Sequence, residues 1–412
     1  MIPIRNNNPM KKERGYIKAT VSKKAADSLR NGHPWIYEGE ILGLDAEPEN
    51  GSLLDVTDEK GRYLGTGFFS SHSKIRIRII SRNANDLFDA DFFKRRIRYA
   101  WDYRKTVMGN DIGACRVIFG EADFFPGLTV DLFNDVLVAQ TLSFGIEKYK
   151  DMIFPSLFET IRNDGIDLKG IYERNDVGIR SLEGLDEYKG WYDIGVKGIQ
   201  ETLIEENGIR YAVDFINGQK TGFFLDQKYN RRAAATVAKG LSVLDCFTHT
   251  GSFALNVRKT GAKEVTAVDI SESAIDMAKR NASLNGLDLD YMVCDVFDLL
   301  EDLISEKKKY DMVILDPPAF TKSRKTISNA MGGYREINQK AMRLVSRGGY
   351  LVTASCSHFA TADMFKKMLM NASLDAGVSL RLVEMRGQSP DHPVLFGVPE
   401  TEYLKFFIFQ IV

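Results

Sequence analysis

The stretch Tyr310-Asp-Met-Val-Ile-Leu-Asp-Pro-Pro-Ala-Phe320 decides how the chain is organised. Its apolar run Met312–Leu315 has no polar alternation, which is typical of a strand covered on both faces in a parallel sheet. Ligands bind beyond the carboxyl ends of such strands, so Asp316 is predicted to lie where chemistry takes place. Pro317 and the proline after it remove two N–H donors. The carbonyls, the carboxylate and the ring of Phe320 fit an amino-bearing nucleobase, although a strand that merely stops at proline explains these residues equally well.

A strand–helix alternation surrounds this stretch and indicates an α/β fold with a doubly wound sheet. The strands are predicted at Ser242–Asp245, Val265–Asp269, Tyr291–Cys294, Met312–Leu315, Tyr350–Ala354 and Leu380–Met385. No helix follows the apolar run Tyr403–Val412. We therefore expect that run to pair as a hairpin with the sixth strand.

The length of 412 residues implies two or three domains. We predict a flexible lead over residues 1–14, a small β-rich domain over 15–82 and a central α+β domain over 83–200. The α/β sheet domain then occupies residues 201–412, and its Asn207-Gly208 pair predicts a hairpin.

The composition narrows the class of protein. The start of the chain has no apolar leader and no stretch reaches membrane-spanning length, so we expect a cytoplasmic location. Four scattered cysteines without a C-x-x-C pair predict reduced thiols and no metal site. The net charge of −1 means that a nucleic-acid partner has to be sought in local patches.

One such patch spans residues 71–108, which contain ten Lys and Arg residues and only four Asp residues. In the strand Lys74-Ile-Arg-Ile-Arg-Ile-Ile80, period two predicts Lys74, Arg76 and Arg78 on one face. A basic helix is predicted to follow from Phe88 to Met108. An ordinary solvated face and an RNA-binding surface explain the pattern equally well. We take the three basic strand residues, with Lys322, as the candidate RNA contacts.

Carboxylates end four successive strands of the predicted sheet. Asp245, Asp269, Asp295 and Asp316 stand at these ends, and Gly251 is the lone glycine of the first strand-to-helix turn. A dinucleotide site would need G-x-G-x-x-G, and four acids would repel phosphates. The set suits S-adenosylmethionine, which carries a sulfonium and an ammonium and no phosphate.

Each acid has an expected partner on that cofactor. Asp245 would orient the methionine part, Asp269 the ribose hydroxyls and Asp295 the adenine amine. Single strand ends are often capped by Asp, so the prediction depends on the ordered set. The candidate cofactor residues are Asp245, Phe247, Thr248, Gly251, Asp269, Ile270, Ser271, Asp295 and Asp316.

The fifth strand leads into Leu351-Val-Thr-Ala-Ser-Cys-Ser-His358, which puts Cys356 at the same sheet edge as Asp316. A buried cysteine is usually a small hydrophobe, and that interpretation suits Cys246 and Cys294. Cys356 is flanked by serines and is the candidate nucleophile. A thiolate that adds to pyrimidine C6 makes C5 able to attack an activated methyl, with Asp316 assisting at the base.

Taken together, the chain resembles the ribosomal RNA large subunit methyltransferase I family, S-adenosylmethionine-dependent enzymes that make 5-methylcytosine in 23S rRNA. The segments that carry the resemblance are Gly32–Ile36 in a PUA-type RNA-binding domain, Phe119–Asp123, Pro126–Asp131, Tyr172–Asp176, Gln219–Asp226, Asp316–Phe320, Ser355–Ser357, Asp391–Val394 and Glu400–Leu404. It implies Cys356 as the C6 nucleophile, Asp316 as the group that assists at the base, and Asp245, Asp269 and Asp295 as cofactor-binding residues. Pro317 and Phe320 are the candidate contacts of the substrate base. The resemblance also implies 23S rRNA or a ribosomal precursor as partner, with a homodimer as one open alternative.

Three alternatives compete with that interpretation. An N7-guanine rRNA methyltransferase shares the D-P-P-x-F signature and needs no thiol. A non-catalytic RNA-binding assembly factor would keep the fold without the acid series. A nicotinamide dehydrogenase is disfavoured because the glycine pattern is missing. The two-cysteine RNA cytosine methyltransferases carry a second cysteine where this chain has Pro317 to Ala319, so the group that removes the C5 proton stays open.

Overall fold

A computed structural model describes residues 14–321 and 323–412. The predicted flexible lead, apart from Arg14, and the candidate Lys322 therefore lie outside the described residues.

The strands and helices have the following bounds. The strands are β1 Ile17–Val21, β2 Trp35–Tyr37, β3 Ile41–Leu44, β4 Leu53–Asp58, β5 Tyr63–Phe69, β6 Ile75–Ser81, β7 Ala114–Phe119, β8 Leu128–Phe133, β9 Val136–Thr141, β10 Gly170–Asn175, β11 Tyr188–Gly195, β12 Thr202–Glu206, β13 Ile209–Val213, β14 Ser242–Cys246, β15 Glu264–Asp269, β16 Asp290–Val293, β17 Tyr310–Leu315, β18 Val345–Ser355, β19 Leu380–Arg386 and β20 Lys405–Ile411. The helices are α1 Lys23–Arg30, α2 Ala90–Met108, α3 Phe144–Asn163, α4 Lys228–Thr236, α5 Ser252–Lys259, α6 Glu272–Leu284, α7 Val296–Ser305, α8 Ile327–Leu344 and α9 Ala362–Ala376.

The chain divides into two compact units. The first holds the described residues up to Thr202 together with Val213–Phe223 and Pro390–Thr401. The second holds Leu203–Ala212, Phe224–Ser389 and Glu402–Val412. Residues 201–202, 213–223 and 390–401 of the predicted 201–412 domain thus belong to the first unit.

The first unit contains two sheets. One has the order β2-β6-β5-β4-β1-β3, in agreement with the predicted β-rich domain, and its interior includes Val21, Ile36, Leu54, Val56 and Ile77. The other has the order β11-β10-β9-β8-β7. Helices α2 and α3 pack against each other and complete the predicted central α+β part.

The second unit contains the predicted doubly wound sheet. Its order is β16-β15-β14-β17-β18-β20-β19, and neighbours from β16 to β18 are parallel. Strand β20 pairs antiparallel with β19, so the predicted hairpin at the end of the chain is confirmed. Met312–Leu315 is fully buried, which explains why the central strand has no polar alternation.

The basic face predicted on β6 is only partly present. Lys74 is exposed, whereas Arg78 is 8% exposed and its Nη2 lies 2.7 Å from Oε1 of the buried Glu183. Arg76 pairs with Glu38. The prediction of one shared exposed face is therefore wrong for Arg78, because a carboxylate 105 residues later in the chain draws its guanidinium inside.

Within the described ranges, no helix is both long and apolar enough to cross a membrane.

Two helical glycines should respond to alanine with opposite signs. At Gly145 in α3, an added Cβ would lie 2.2 Å from Cγ of Phe68, while at Gly332 in α8 it would meet nothing within 4 Å. Gly145→Ala should lower the free energy of unfolding by about 1–3 kcal/mol through overpacking. Gly332→Ala should raise it by roughly 0.5–1 kcal/mol through helix propensity. Urea unfolding of both variants checks this, and equal effects would contradict the packing argument.

Candidate active site

The strand register of the second unit brings the predicted residues to one edge. Cys246 of β14 pairs with Leu315 of β17, which in turn pairs with Thr353 of β18. Because these strands are parallel, their carboxyl ends lie side by side. Asp316 directly follows Leu315, and Cys356 comes three residues after Thr353. The predicted base-binding acid and the predicted nucleophile therefore end adjacent strands.

Asp245 is fully buried at the end of β14. Its Oδ2 accepts hydrogen bonds from the Thr248 hydroxyl at 2.6 Å and the Ala254 N–H at 2.9 Å. Burial raises its pKa to about 7. Its Oδ1 is buried and has no hydrogen-bond partner among the described residues. A bound cation or hydrogen-bond donor would satisfy that oxygen, which fits the ammonium end of S-adenosylmethionine.

Asp269 ends β15 with each carboxylate oxygen held by backbone. Oδ2 accepts the His249 N–H at 2.9 Å and Oδ1 accepts the Ser271 N–H at 3.0 Å. Each oxygen keeps a second lone pair for a ribose hydroxyl. Ser271 also caps α6, because its hydroxyl accepts the Ala274 N–H. The carboxylate is therefore fixed in place before any ligand binds.

The remaining cofactor candidates surround these two acids. Asp295 is exposed and caps α7, accepting the Phe297 N–H at 2.7 Å. Ile270, which follows Asp269 in the chain, is 68% exposed. At Gly251, φ is +78° and a Cβ would lie 2.9 Å from Cβ of Ala278, so only glycine lets α5 approach α6. Phe247 also has a left-handed backbone.

Asp316 is half-buried and held from the side. Gln227 donates from Nε2 to its Oδ1 at 2.9 Å, and Asn230 donates to Oε1 of Gln227 at 2.7 Å. Pro317 is buried directly after it. Phe320 is partly buried, and its ring centroid lies 4.5 Å from that of Tyr334. One aromatic neighbour therefore already covers part of the ring that was expected to stack on a base.

Cys356 is half-buried within a polar surround at the end of β18. The hydroxyl groups of Tyr334 and Ser357 lie 2.9 Å apart. Lys405 of β20 donates from Nζ to the Ser357 carbonyl at 2.6 Å. Cys246, by contrast, is completely buried and burial raises its pKa. His358 is also half-buried and its Nδ1 lies 3.4 Å from the Glu402 carbonyl oxygen.

Sequence reasoning missed three side chains of this edge: Gln227, Tyr334 and Lys405. Nothing local in the sequence marks Gln227 or Tyr334, because their hydrogen-bond partners, Asp316 and Ser357, are 89 and 23 residues away in the chain. Lys405 did carry a signal, since it is a lone charge in the apolar run Leu404-Lys-Phe-Phe-Ile-Phe409.

Comparison with known proteins identifies this architecture. The model of the PUA-like domain family matches residues 19–82, and the model of the S-adenosylmethionine-dependent methyltransferase family matches residues 191–409. "Ribosomal RNA large subunit methyltransferase I" of Alteromonas mediterranea is 39% identical over 93% of this chain and 96% of its own. The protein of that name from Shewanella denitrificans is 40% identical over the same shares.

The chain belongs to the ribosomal RNA large subunit methyltransferase I family. Its cofactor is S-adenosylmethionine, as predicted. A solved chain from Streptococcus mutans, assigned as a SAM-dependent methyltransferase, superposes with a TM-score of 0.80 at 23% identity. The superposition covers 96% of this chain and 100% of that one, and it shows that the fold is shared. The roles of individual site residues stay predictions.

Asp269 offers a direct test of the cofactor assignment. Asp269→Ala should weaken S-adenosylmethionine binding by about 1.5–3 kcal/mol, or roughly 10- to 150-fold in Kd, through loss of a charged hydrogen-bond acceptor. Asp269→Asn, which keeps one acceptor oxygen, should lose less. Calorimetric titration measures both, and thermal unfolding confirms that the variants are folded. Unchanged affinity in a folded Asp269→Ala protein would remove this residue from the cofactor site.

Proposed function

We propose that the chain transfers the methyl group of S-adenosylmethionine to C5 of a cytosine in large-subunit rRNA, with Cys356 as the nucleophile. The observation that carries this proposal is the pairing of strands β17 and β18, which puts a carboxylate and a half-buried thiol at neighbouring strand ends. The names of the curated relatives point to ribosomal RNA of the large subunit as substrate.

The thiol is what distinguishes cytosine C5 from other acceptors. C5 of cytosine is a poor nucleophile until a group adds to C6. In the proposed reaction the Cys356 thiolate forms a bond to C6, and the electron pair of the C5–C6 double bond moves to C5. When bound, S-adenosylmethionine would supply an electrophilic methyl on a sulfonium, and C5 would bond to that methyl carbon as its bond to sulfur breaks and the neutral thioether leaves. Loss of the C5 proton then restores the double bond and expels the thiolate.

Asp316 is the group proposed to hold the base. Its Oδ1 accepts a hydrogen bond from Gln227, which fixes the orientation of the carboxylate. The next residue, Pro317, has no backbone N–H that could bind the carboxylate in place of the base. A carboxylate accepts the exocyclic amine of cytosine, and a protonated one donates to N3. The base must leave its stack to reach a strand end. Phe320, whose ring centroid lies 4.5 Å from that of Tyr334, is the proposed contact for the flat face of the base.

The cofactor acids are proposed to lie on the other side of this edge. Asp245 with its unpaired Oδ1 is the proposed partner of the ammonium, and Asp269 that of the ribose. This arrangement predicts that a substitution of Cys356 abolishes methyl transfer without changing the affinity for S-adenosylmethionine.

The thiol hypothesis is tested by trapping. RNA with 5-fluorocytosine at the target should form a stable protein–RNA adduct, because fluorine at C5 cannot leave as a proton does. Cys356→Ser should lose the adduct and nearly all turnover, while its affinity for S-adenosylmethionine stays within about twofold because the acids are untouched. Gel-shift under denaturing conditions and methyl-transfer assays measure these quantities.

Cys294→Ser is the matched control, since it changes another half-buried thiol and should keep both adduct and turnover. Methylation without an adduct, together with normal turnover of Cys356→Ser, would contradict the proposal and favour N7 of guanine as the acceptor.

A further inference from the structure

The first unit contains a cavity of about 300 Å³ that the proposed chemistry does not use. The residues that line it are Pro34, Ile79, Ser81, Arg82, Asn83, Arg96 and Phe124. Phe124 has a left-handed backbone with φ of 61°. That conformation costs a bulky residue about 1–2 kcal/mol, and such residues concentrate at functional positions.

Neither Arg82 nor Arg96 makes a salt bridge with another described residue. Nε of Arg82 is buried and has no hydrogen-bond partner in the ranges that the structure describes. Arg96 lies over the Phe124 ring at 5.0 Å. Burial lowers the pKa of both groups, which is the mark of positive charge held away from water. The carboxylate that acts on Arg96 is Asp86, and it already accepts hydrogen bonds from Ser81, Asn83 and Arg95.

We propose that this cavity binds a phosphodiester of the RNA substrate, with the adjoining nucleotide against Phe124 and Pro34. A phosphate would supply the missing negative charge, and guanidinium groups bind it in a bidentate manner. Aromatic and proline faces are suitable contacts for an unstacked base. This site rests on the proposed rRNA substrate, and it replaces Arg78, whose charge is already paired, as the expected phosphate contact.

The test compares two charge-matched double variants. Arg82→Met/Arg96→Met should weaken binding of a large-subunit rRNA fragment at least tenfold and lower the salt slope of log Kd by about 0.7 for each lost phosphate contact. Arg62→Met/Arg162→Met removes the same charge from exposed positions and should have a much smaller effect. Affinity for S-adenosylmethionine should be unchanged in both. Fluorescence anisotropy across a salt series measures the RNA term.

Equal losses in the two double variants, or no loss in the first, would overturn the cavity as a site. Arg82→Lys/Arg96→Lys separates charge from folding, since it should recover part of the affinity. If the wild-type chain fails to bind the rRNA fragment, the proposed substrate fails, which is a different result from failure of the cavity alone.

A second, independent observation concerns Lys405 in the other unit. It is only 6% exposed, and it lies directly opposite Ser355 in the pairing of β18 with β20. Its Nζ donates to the carbonyl oxygens of Ser357 at 2.6 Å and Tyr403 at 2.8 Å. Both acceptors are neutral carbonyl groups. The Lys405 ammonium therefore bonds to residues next to Cys356 in the chain, and no carboxylate of the described residues forms an ion pair with it.

Two titratable groups act electrostatically on the Lys405 ammonium. Cys356 and Glu402 act on it electrostatically, and burial outweighs both and lowers its pKa to about 8. Tyr334 shares a hydrogen bond with Ser357, and His358 contacts the backbone of Glu402. An ammonium in so little water interacts strongly with any nearby anion. Two carbonyls occupy two of its three donors and leave one available.

We propose that Lys405 is a positioning residue that stabilises the thiolate of Cys356. A neighbouring cation favours the thiolate over the thiol and so raises the fraction of reactive nucleophile at neutral pH. The structure links the two residues, because Lys405 donates a hydrogen bond to the carbonyl of Ser357, the residue that follows Cys356. The inference rests on Cys356 as the proposed nucleophile.

Thiol reactivity provides a readout that needs no RNA. In a Cys294→Ser background, the rate of Cys356 alkylation by iodoacetamide is followed from pH 6 to 10. Lys405→Met should shift the midpoint of the pH profile upward by about one unit and slow alkylation at pH 7 about tenfold. Lys405→Gln keeps N–H donors for the two carbonyls without the charge, and it should shift the profile similarly. Lys239→Met, an exposed lysine of the same unit, should leave it unchanged.

A profile of folded Lys405→Gln that coincides with the unsubstituted one would overturn the proposal. Lys405→Arg, which restores the charge, should return the midpoint toward its original value. If the profiles shift as expected and the 5-fluorocytosine adduct still fails to form, the coupling of Lys405 to Cys356 stands and the proposed nucleophilic role fails.

Discussion

The parallel register of β14, β17 and β18 is the constraint on which the site depends. It fixes which residue of each strand is the last to be buried, and hence which side chains stand at the shared edge. A slip of one residue would move every side chain of a strand to the opposite face of the sheet. The fully buried run Met312–Leu315 prevents such a slip, because each residue fills a place on one of two covered faces. Core packing and site geometry are therefore set by the same pairing.

The sequence allowed prediction of what local pattern controls. Apolar runs that end on Asp located Asp269 and Asp316, and an apolar run without a following helix located β20. Long-range pairing was beyond such reasoning. Period two put Arg78 on an exposed face, yet the position of Glu183 decides its burial. Gln227 reaches Asp316 only because the loop before α4 returns to the end of β17. The alternation of polar and apolar residues predicts which side chains share a face of a strand, but it does not predict which distant residues pack against that face.

The edge combines two desolvated charges of opposite sign. Burial pushes the Asp245 carboxyl toward its neutral form, and it pushes the Lys405 ammonium toward its neutral form as well. Each keeps its charge most easily when an opposite charge is nearby. A cationic cofactor near one and an anionic sulfur near the other would meet that condition. Ligand binding and chemistry would then relieve electrostatic cost that the folded chain already carries.

Residues 390–401 belong to the first unit although the second unit supplies the chain on both sides of them. Asp391 accepts the Arg116 N–H of β7 at 2.8 Å, and its carbonyl accepts from the buried Arg104 at 2.9 Å. On the ribosome these partners emerge only after nearly all of the second unit. Arg104 is meanwhile neutralised by Asp123, which is made early. Arg104 of the first unit therefore has a carboxylate partner before residues 390–401 are made, and the unit can be completed only after their synthesis.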